Sequence, residues 1–232
     1  MESLNSTIQN IEIPEEVPVM TLSSTVLFPQ AIMPLFIFEP RYKTMLSDVL
    51  AQNRIFAVAA LDERTENTTD AETSYSVAGI GLIRACKKNS DGNSNLVLQG
   101  ISRVKFTSII SEVPYRKARI QQISSKAGGS IKQIKSCQNQ LIDLIKTQRR
   151  LGANIPEEIL LFLKSIDEPE DLIDLAIYTL CPHTPLKQEL LETRSIIPRY
   201  QKFAKFLVAE IQNLKLNNQL KGDLNDENIG NN

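Results

Sequence analysis

The chain has 232 residues, of which 42% are hydrophobic and 23% charged, and its formal net charge is -1. This composition is ordinary for a globular protein that buries a sizeable core in one large domain or two small ones. The near-neutral charge gives no reason to expect nucleic acid or an anionic membrane as partner of the chain as a whole. The N-terminal segment lacks the features of a signal peptide, and no apolar run approaches the ~20 residues of a membrane span.

The three cysteines are widely spaced at Cys86, Cys137 and Cys181, and none belongs to a CxxC pair. Structural zinc sites usually need such paired cysteines, so no zinc site is expected. An odd number of thiols without a disulfide framework is typical of a reducing compartment. We therefore expect free thiols and a cytoplasmic location.

Residues 1–14 are polar and are predicted to form a flexible N-terminus, whereas residues 15–124 carry mainly the patterns of β-strands. Residues 62–74 are polar and are predicted to form an exposed loop. Pro34 interrupts the second predicted strand and favours an edge position, because proline cannot donate a hydrogen bond to a neighbouring strand. About six or seven strands are expected, including Val17–Leu22, Ala31–Phe38, Arg54–Leu61, Val77–Ala85, a long bent strand through Leu96–Phe106, and Arg116–Ile123.

One helix is predicted within this β-rich region. Pro40 suits the first turn of a helix, where its missing N–H is not needed. Apolar residues follow at helical spacing, namely Tyr42, Met45, Leu46, Val49 and Leu50. Further along, Gly79 and Gly81 within a strand predict a bend or the close approach of another backbone segment. The segment 87–93 has the composition of a hairpin turn.

The clearest internal boundary is the segment Ser124–Ser130, with the sequence SSKAGGS. Ser130 followed by Gln133 predicts a capping box at the start of a helix. Residues 130–218 repeat apolar side chains at helical spacing and are predicted to form a bundle of four or five helices. Residues 219–232 are rich in Asn, Asp and Gly and are predicted to be disordered. The sequence thus predicts an α+β protein, with a β-rich subdomain followed by a C-terminal helical bundle.

Charge is unevenly distributed along the chain. Residues 1–72 hold eleven acidic and four basic side chains, residues 84–135 hold eleven basic and two acidic ones, and residues 156–174 hold seven acidic and one basic. Such blocks are common on the solvated surfaces of ordinary domains. They also suit a basic sheet face that packs on acidic helices or binds an acidic partner, and the sequence leaves both interpretations open.

The sequence gives no support for catalysis. His183 is the only histidine, and it lies two residues after Cys181 in a proline-bounded turn, which is a poor arrangement for a catalytic dyad. A phosphate-binding GxxxxGK[ST] loop is absent, and one histidine cannot build a cluster of histidine and carboxylate metal ligands. No catalytic residue, cofactor or metal ligand is therefore assigned, and a hidden hydrolase is the least favoured interpretation.

Several segments together resemble the substrate-binding N-terminal domain of Lon proteases. In chain order they are Val19–Leu22 with Leu27-Phe28-Pro29, Pro34-Leu35-Phe36, Arg54–Val58, Val77–Gly81, Leu98–Val104, Asp171–Leu180 and Lys187–Glu192. At 232 residues the chain is too short to carry the ATPase and peptidase that follow this domain in the proteases. It looks like a stand-alone form of the domain, and the segment Phe38–Tyr42 resembles the stand-alone relatives more closely.

The resemblance implies a β-domain of pseudobarrel type, related to PUA-like domains and joined to a helical bundle. It also implies a non-enzymatic role in engaging unfolded or tagged polypeptide and in supporting oligomerisation. The expected partners are unfolded or exposed apolar polypeptide segments, with a homo-oligomer left open and no membrane.

Two interpretations of the function follow. In the first, the chain binds polypeptide at an exposed sheet edge, and the candidate contact residues are Phe28, Pro29, Met33, Phe36 and Phe38. The simpler alternative for the three phenylalanines is a place in the core. In the second interpretation, an RNA-binding PUA-like module uses the basic residues 84–135, with Phe106 and Tyr115 nearby. The neutral overall charge and the lack of an aromatic platform weaken this second interpretation.

Overall fold

The structure, a computed structural model, describes residues 11–62 and 73–227. Most of the predicted flexible N-terminus, most of the predicted loop 62–74 and the last residues of the predicted tail lie outside the described residues. Residues up to Ser124 form one compact unit together with Tyr178–Glu192. Ser125–Ile177 form the other unit together with the residues from Thr193 onward. We call them the sheet unit and the helical unit.

The sheet unit is built on one mixed sheet with the strand order β2-β5-β4-β3-β1-β6. Its strands are β1 (Glu16–Leu22), β2 (Ile32–Ile37), β3 (Ile55–Ala60), β4 (Val77–Lys88), β5 (Ser94–Ser111) and β6 (Lys117–Ile123). The β1–β3 pair is parallel, and the other pairs are antiparallel.

The length of β5 closes the sheet into a ring. Its 18 residues pair with β2 and β4, and the second half of the strand also pairs with β6. The ring β5-β4-β3-β1-β6 is the predicted pseudobarrel, and the α+β class is confirmed. Among the described strands, β2 pairs only with β5 and lies at the edge of the sheet, as Pro34 predicts.

Inward-facing aliphatic side chains form the core of the ring. β3 is buried along its whole length, which agrees with its continuous apolar run. The other ring strands contribute buried residues at alternating positions. The cluster comprises Val17, Val19, Ile55, Ala57, Ala59, Ala78, Ile80, Val104, Ala118 and Ile120.

Helix α1 (Pro40–Leu50) follows β2 and begins at Pro40, as predicted. It buries Tyr42, Met45, Leu46 and Val49, whereas the predicted fifth member of this face, Leu50, is exposed at the end of the helix. The Tyr42 hydroxyl accepts a hydrogen bond from the Thr21 N–H at 3.1 Å and donates one to the Thr21 carbonyl at 3.2 Å. One phenol thus satisfies two backbone groups of β1 in a buried position.

Replacing Tyr42 by phenylalanine is expected to lower the free energy of unfolding by about 2 kcal/mol, because both backbone groups of Thr21 lose their partner. The ring itself is retained, so the loss of packing is small. Urea denaturation followed by circular dichroism measures the change. A variant as stable as the wild type would show that these hydrogen bonds contribute little.

A loop between β1 and β2 lies directly on the sheet. A Cβ atom at Gly79 would stand 2.1 Å from the Leu27 carbonyl oxygen, and one at Gly100 would stand 2.0 Å from that of Phe28. The Gly100 carbonyl also accepts a hydrogen bond from the Gln30 N–H at 2.8 Å. The close backbone approach predicted for Gly79 is therefore confirmed.

The described chain after Ser130, up to Glu227, is mainly helical. Its helices are α2 (Ile131–Arg150), α3 (Glu157–Lys164), α4 (Pro169–Leu180), α5 (Thr184–Glu192) and α6 (Ile196–Glu227). The predicted capping box is present, since the Gln133 N–H donates to the Ser130 hydroxyl at 3.3 Å and the Ser130 N–H donates to Oε1 of Gln133 at 2.8 Å.

Two features differ from the sequence-based division of the chain. α5 groups with the sheet unit, although residues 130–218 were expected to form one continuous bundle. One reason is that Gln188 of α5 donates a hydrogen bond to the Val77 carbonyl of β4 at 2.9 Å. The second difference is that α6 continues to Glu227, through most of the segment predicted to be disordered. Among the described residues, no helix is long and apolar enough to cross a membrane.

A buried ion pair organises the helical unit. Arg199 and Asp174 are both fully buried, and Nη1 of Arg199 donates to Oδ1 of Asp174 at 2.6 Å. The remaining guanidinium hydrogens reach the carbonyls of Thr193, at 2.9 Å, and Arg194, at 3.2 Å. They also reach the Ser125 hydroxyl at 2.9 Å. One side chain therefore holds together α4, the start of α6 and the segment that precedes α2.

Candidate functional site

An apolar surface of the sheet unit lies along the edge strand β2. Side chains alternate there, so that Met33 is buried while Ile32, Pro34 and Phe36 face outward. Phe38, just after the strand, continues the outward row. Phe36 is 51% exposed and Phe38 57% exposed, and their stacked rings have centroids 6.0 Å apart. We call the outward row Ile32, Pro34, Phe36 and Phe38 the β2 face.

The neighbouring strands extend the β2 face into an open cavity of about 450 Å³. Residues directly opposite each other in antiparallel strands share a face of the sheet. Two rows of paired residues cross β2, β5 and β4 in this way: Pro34–Val97–Ala85 and Phe36–Asn95–Lys87. The volume falls in the range of ordinary binding pockets, and its apolar part is large enough to take a bulky side chain of a partner.

The backbone edge of β2 is less open than its side-chain surface. The Tyr178 hydroxyl donates a hydrogen bond to the Ile32 carbonyl at 3.2 Å, on the side away from β5. Backbone N–H and C=O groups point to alternate sides of a strand from one residue to the next. The backbone groups of Pro34 and Phe36 therefore point away from β5, as those of Ile32 do. Pro34 has no N–H to offer there. Both features block a regular ladder with an added strand, so contacts here depend mainly on side chains.

Two cations lie on the same face of the sheet, on β4. Arg84 occupies a register shift between Ile83 and Ala85, and its Nε donates to Oε1 of Gln99 at 2.6 Å. Lys87 lines the cavity beside Phe36. Neither side chain forms an ion pair with another described residue. The apolar β2 face is thus bordered by positive charge.

The five predicted contact residues do not all lie on this surface. Phe36 and Phe38 are exposed and adjacent, and Pro29 is half-buried. Phe28 and Met33 are buried in the core. For Met33 the cause is strand alternation, and for Phe28 it is the packing of its loop on the glycines of β4 and β5. Phe28 and Met33 therefore do not reach a partner in this conformation.

Other residues of the surface were not predicted from the sequence. Ile32 follows from strand alternation once the limits of β2 are known, because it lies two residues before Pro34. Val97, Ala85 and Arg84 come from strands whose register with β2 is set by long-range pairing. Local patterns carry no signal for that register.

The basic segment 84–135 does not form one open cationic surface. Arg103 is buried and its Nε donates to the Leu191 carbonyl at 3.1 Å. Nε of Arg116 lies 2.9 Å from Oε2 of Glu112, and Nη2 of Arg119 lies 2.6 Å from Oε1 of Glu16. Two of the eleven cations are thus paired with carboxylates and a third is buried, which weakens the case for a continuous surface that binds a phosphate backbone.

Of the two aromatic residues expected to help an RNA site, Phe106 is half-buried and Tyr115 is unavailable. Tyr115 is buried, and its hydroxyl donates to Oδ2 of Asp48 at 2.6 Å. Burial, followed by this hydrogen bond and the charge of Asp48, raises the pKa of Tyr115 to about 12. A buried, hydrogen-bonded phenol offers no face for a base to stack on.

The sole histidine and its neighbouring cysteine do not form a dyad. The Cys181 thiol lies 3.8 Å from the backbone carbonyl of His183 and donates to it. Burial raises the pKa of the Cys181 thiol, which disfavours the thiolate that a nucleophile requires. Among residues 11–62 and 73–227, no group of three or more His, Cys, Asp or Glu side chains is placed to hold a metal ion.

These features define an α+β protein in which a ring of strands carries an exposed apolar edge strand and is followed by helices. The chain belongs to the family of the ATP-dependent protease La (LON) substrate-binding domain, which it matches over residues 16–209. The resemblance seen in the sequence is thereby confirmed.

Curated relatives are full Lon proteases. The chain is 26% identical over 219 residues to the Lon protease of Dictyoglomus thermophilum, covering 94% of this chain and 27% of that protein. It is 29% identical over 217 residues to the Lon protease of Desulfosudis oleivorans, covering 93% and 26%. The chain therefore spans about a quarter of the length of these relatives.

Solved structures share the fold at lower sequence identity. The N-terminal domain of the Mycobacterium avium complex Lon protease superposes with a TM-score of 0.63 at 17% identity, covering 85% of this chain and 98% of that one. The Lon N-terminal domain protein from Xanthomonas campestris gives a TM-score of 0.60 at 16% identity, covering 82% and 97%.

Proposed function

We propose that this protein is a non-catalytic polypeptide-binding module that holds exposed apolar segments of other proteins on the β2 face. The observation that carries the proposal is the exposed, stacked pair Phe36 and Phe38 at the edge of the sheet. Large aromatic side chains contribute much of the energy at protein interfaces when a partner covers them. Membership of a substrate-binding family supports a polypeptide as that partner.

The shape of the surface supports binding through side chains. The cavity beside Phe36 takes an apolar side chain of the partner, while Pro34 and Tyr178 restrict pairing through the backbone. Binding of this kind tolerates different partner sequences, because apolar contact is non-directional. That tolerance suits a module that meets many unfolded segments. Its expected compartment is reducing, such as the cytoplasm, where the three free cysteines remain thiols.

Hydrogen–deuterium exchange tests the proposal with a permanently unfolded polypeptide, such as reduced and alkylated casein, at about 200 µM, which is high enough to detect weak binding. Protection is expected in residues 26–38 and in the paired part of β5. Absence of protection throughout the chain at this concentration would defeat the proposal.

A matched pair of variants locates the site. Phe36→Ser with Phe38→Ser is expected to weaken binding at least about tenfold, since two aromatic contacts are removed from the surface. Phe162→Ser in the helical unit is the control, because Phe162 is also 51% exposed. Its expected affinity is that of the wild type. Equal losses in both variants would show only a general response to surface hydrophobicity.

A further inference from the structure

We infer that the β2 face selects apolar segments flanked by acidic residues, and this inference rests on the proposed polypeptide-binding function. The apolar β2 face lies beside positive charge. A complementary partner is therefore an apolar segment with carboxylates nearby. The charge blocks of the sequence allow for an acidic partner, and the structure places cations beside the β2 face.

The two cations lie together on one side of the cavity. Arg84 and Lys87 lie on β4, two strands away from β2, which is about 10 Å at the usual strand spacing. Lys87 lies opposite Asn95 of β5, which in turn lies opposite Phe36 of β2. In the next row, Ala85 lies opposite Val97, which lies opposite Pro34. The cations therefore flank the cavity on the side opposite to the phenylalanines.

No carboxylate on the described part of the chain forms an ion pair with Arg84 or Lys87. Glu39, next to Phe38, lies 2.9 Å from Nε of Arg41. Asp91, in the hairpin between β4 and β5, accepts hydrogen bonds from Asn93 at 2.9 and 2.7 Å. Within the described part of the sheet unit, no ion pair neutralises the positive charge at the cavity.

A third cation lies near the other end of the β2 face. Nζ of Lys187 lies 5.2 Å from the centroid of the Tyr178 ring, whose hydroxyl binds the Ile32 carbonyl. Cations therefore border the β2 face on two sides. A partner with acidic residues on either side of its apolar side chains places each carboxylate near a cation, whereas a partner with basic flanks meets like charge.

The test compares three synthetic peptides that share one apolar core and carry Glu, Ser or Lys at the flanking positions. Fluorescence anisotropy gives their dissociation constants at low ionic strength. The Glu-flanked peptide is expected to bind about fivefold more tightly than the Ser-flanked peptide, as expected for two exposed ion pairs. The Lys-flanked peptide is expected to bind most weakly. The differences are expected to shrink in about 1 M salt.

Charge reversal assigns the preference to this surface. Lys87→Glu is expected to abolish most of the preference for the Glu-flanked peptide while the Ser-flanked peptide keeps its affinity. Lys132→Glu at the exposed start of α2 is the control with the same change in net charge, and the preference is expected to remain. Lys87→Gln is expected to give an intermediate result, which separates lost attraction from new repulsion.

The outcomes distinguish the inference from the function on which it rests. Equal binding of the three peptides, or a preference that Lys132→Glu reduces as much as Lys87→Glu, would overturn the acidic preference and leave polypeptide binding in place. Failure of all three peptides to bind, together with no exchange protection by unfolded casein, would overturn both.

Discussion

Gly100→Ala is expected to destabilise the protein by about 3 kcal/mol or more, because the new methyl group overlaps backbone atoms that cannot move aside cheaply. The Cβ would stand 2.0 Å from the Phe28 carbonyl oxygen and 2.9 Å from its carbonyl carbon. The Gly100 N–H also donates to the Ala31 carbonyl at 2.9 Å. The loop must therefore lift off the sheet, and its movement displaces the start of β2.

Gly152→Ala is the matched control for this substitution. Gly152 has a φ of +97°, yet a Cβ placed there meets nothing within 4 Å. Its expected cost is about 1 kcal/mol from backbone conformation alone. Thermal unfolding measures both variants, and a loss near 3 kcal/mol corresponds to a decrease in Tm of about 10 °C for a chain of this size. Similar losses at the two positions would mean that the loop yields easily.

Arg199→Met is expected to have an effect of similar or greater size, about 3–5 kcal/mol, because it leaves the fully buried Asp174 carboxylate without its cation. Methionine fills much of the space but donates no hydrogen bond. The carbonyls of Thr193 and Arg194 and the Ser125 hydroxyl lose a donor in the same step. Urea denaturation of the whole protein measures the loss in the free energy of unfolding.

Two further variants define the origin of that effect. Arg119→Ala breaks the exposed ion pair with Glu16 and is expected to cost at most about 1 kcal/mol. Arg199→Met combined with Asp174→Leu is expected to recover part of the lost stability, because the buried carboxylate is removed while the carbonyl contacts and the 3.6 Å contact with Glu170 remain unmade. A double variant no more stable than Arg199→Met would contradict the dominant role of the unpaired carboxylate.

Local chemistry explains which parts of the fold the sequence could predict. Pro34 marks an edge strand and Pro40 marks a helix start because each lacks an N–H that only certain positions can forgo. Ser130 and Gln133 predict a capping box since their side chains satisfy backbone groups within one turn. The continuous apolar run of β3 predicts burial on both faces. In each case the determining contacts lie within a few residues of one another.

Long-range pairing explains what the sequence could not predict. The pseudobarrel was expected from the family resemblance, but neither β5 nor β6 alone specifies the register that closes it, in which Phe106 pairs with Ile120. α5 contacts the sheet through residues far apart in the chain, since Gln188 donates to the Val77 carbonyl and Arg103 donates to the Leu191 carbonyl. The continuation of α6 to Glu227 shows that Asn- and Asp-rich composition alone is a weak predictor of where a helix ends.

The candidate site shows the same limit. Composition and order of residues pointed to the segment from Phe28 to Phe38, and two aromatic side chains of that segment are exposed. The segment alternates between inward and outward residues, so only part of it can face a partner. The cations Arg84 and Lys87 complete the surface from a different strand, and only the sheet register brings them there.

Photocrosslinking from position 36 directly tests whether the β2 face binds unfolded polypeptide. Phe36 is replaced by p-benzoylphenylalanine, the protein is mixed with reduced and alkylated casein, and the irradiated products are identified by mass spectrometry. Covalent adducts with casein are expected from position 36, and few are expected from the same replacement at the equally exposed Phe162. Adducts from position 162 alone, or none from either position, would contradict binding at the β2 face.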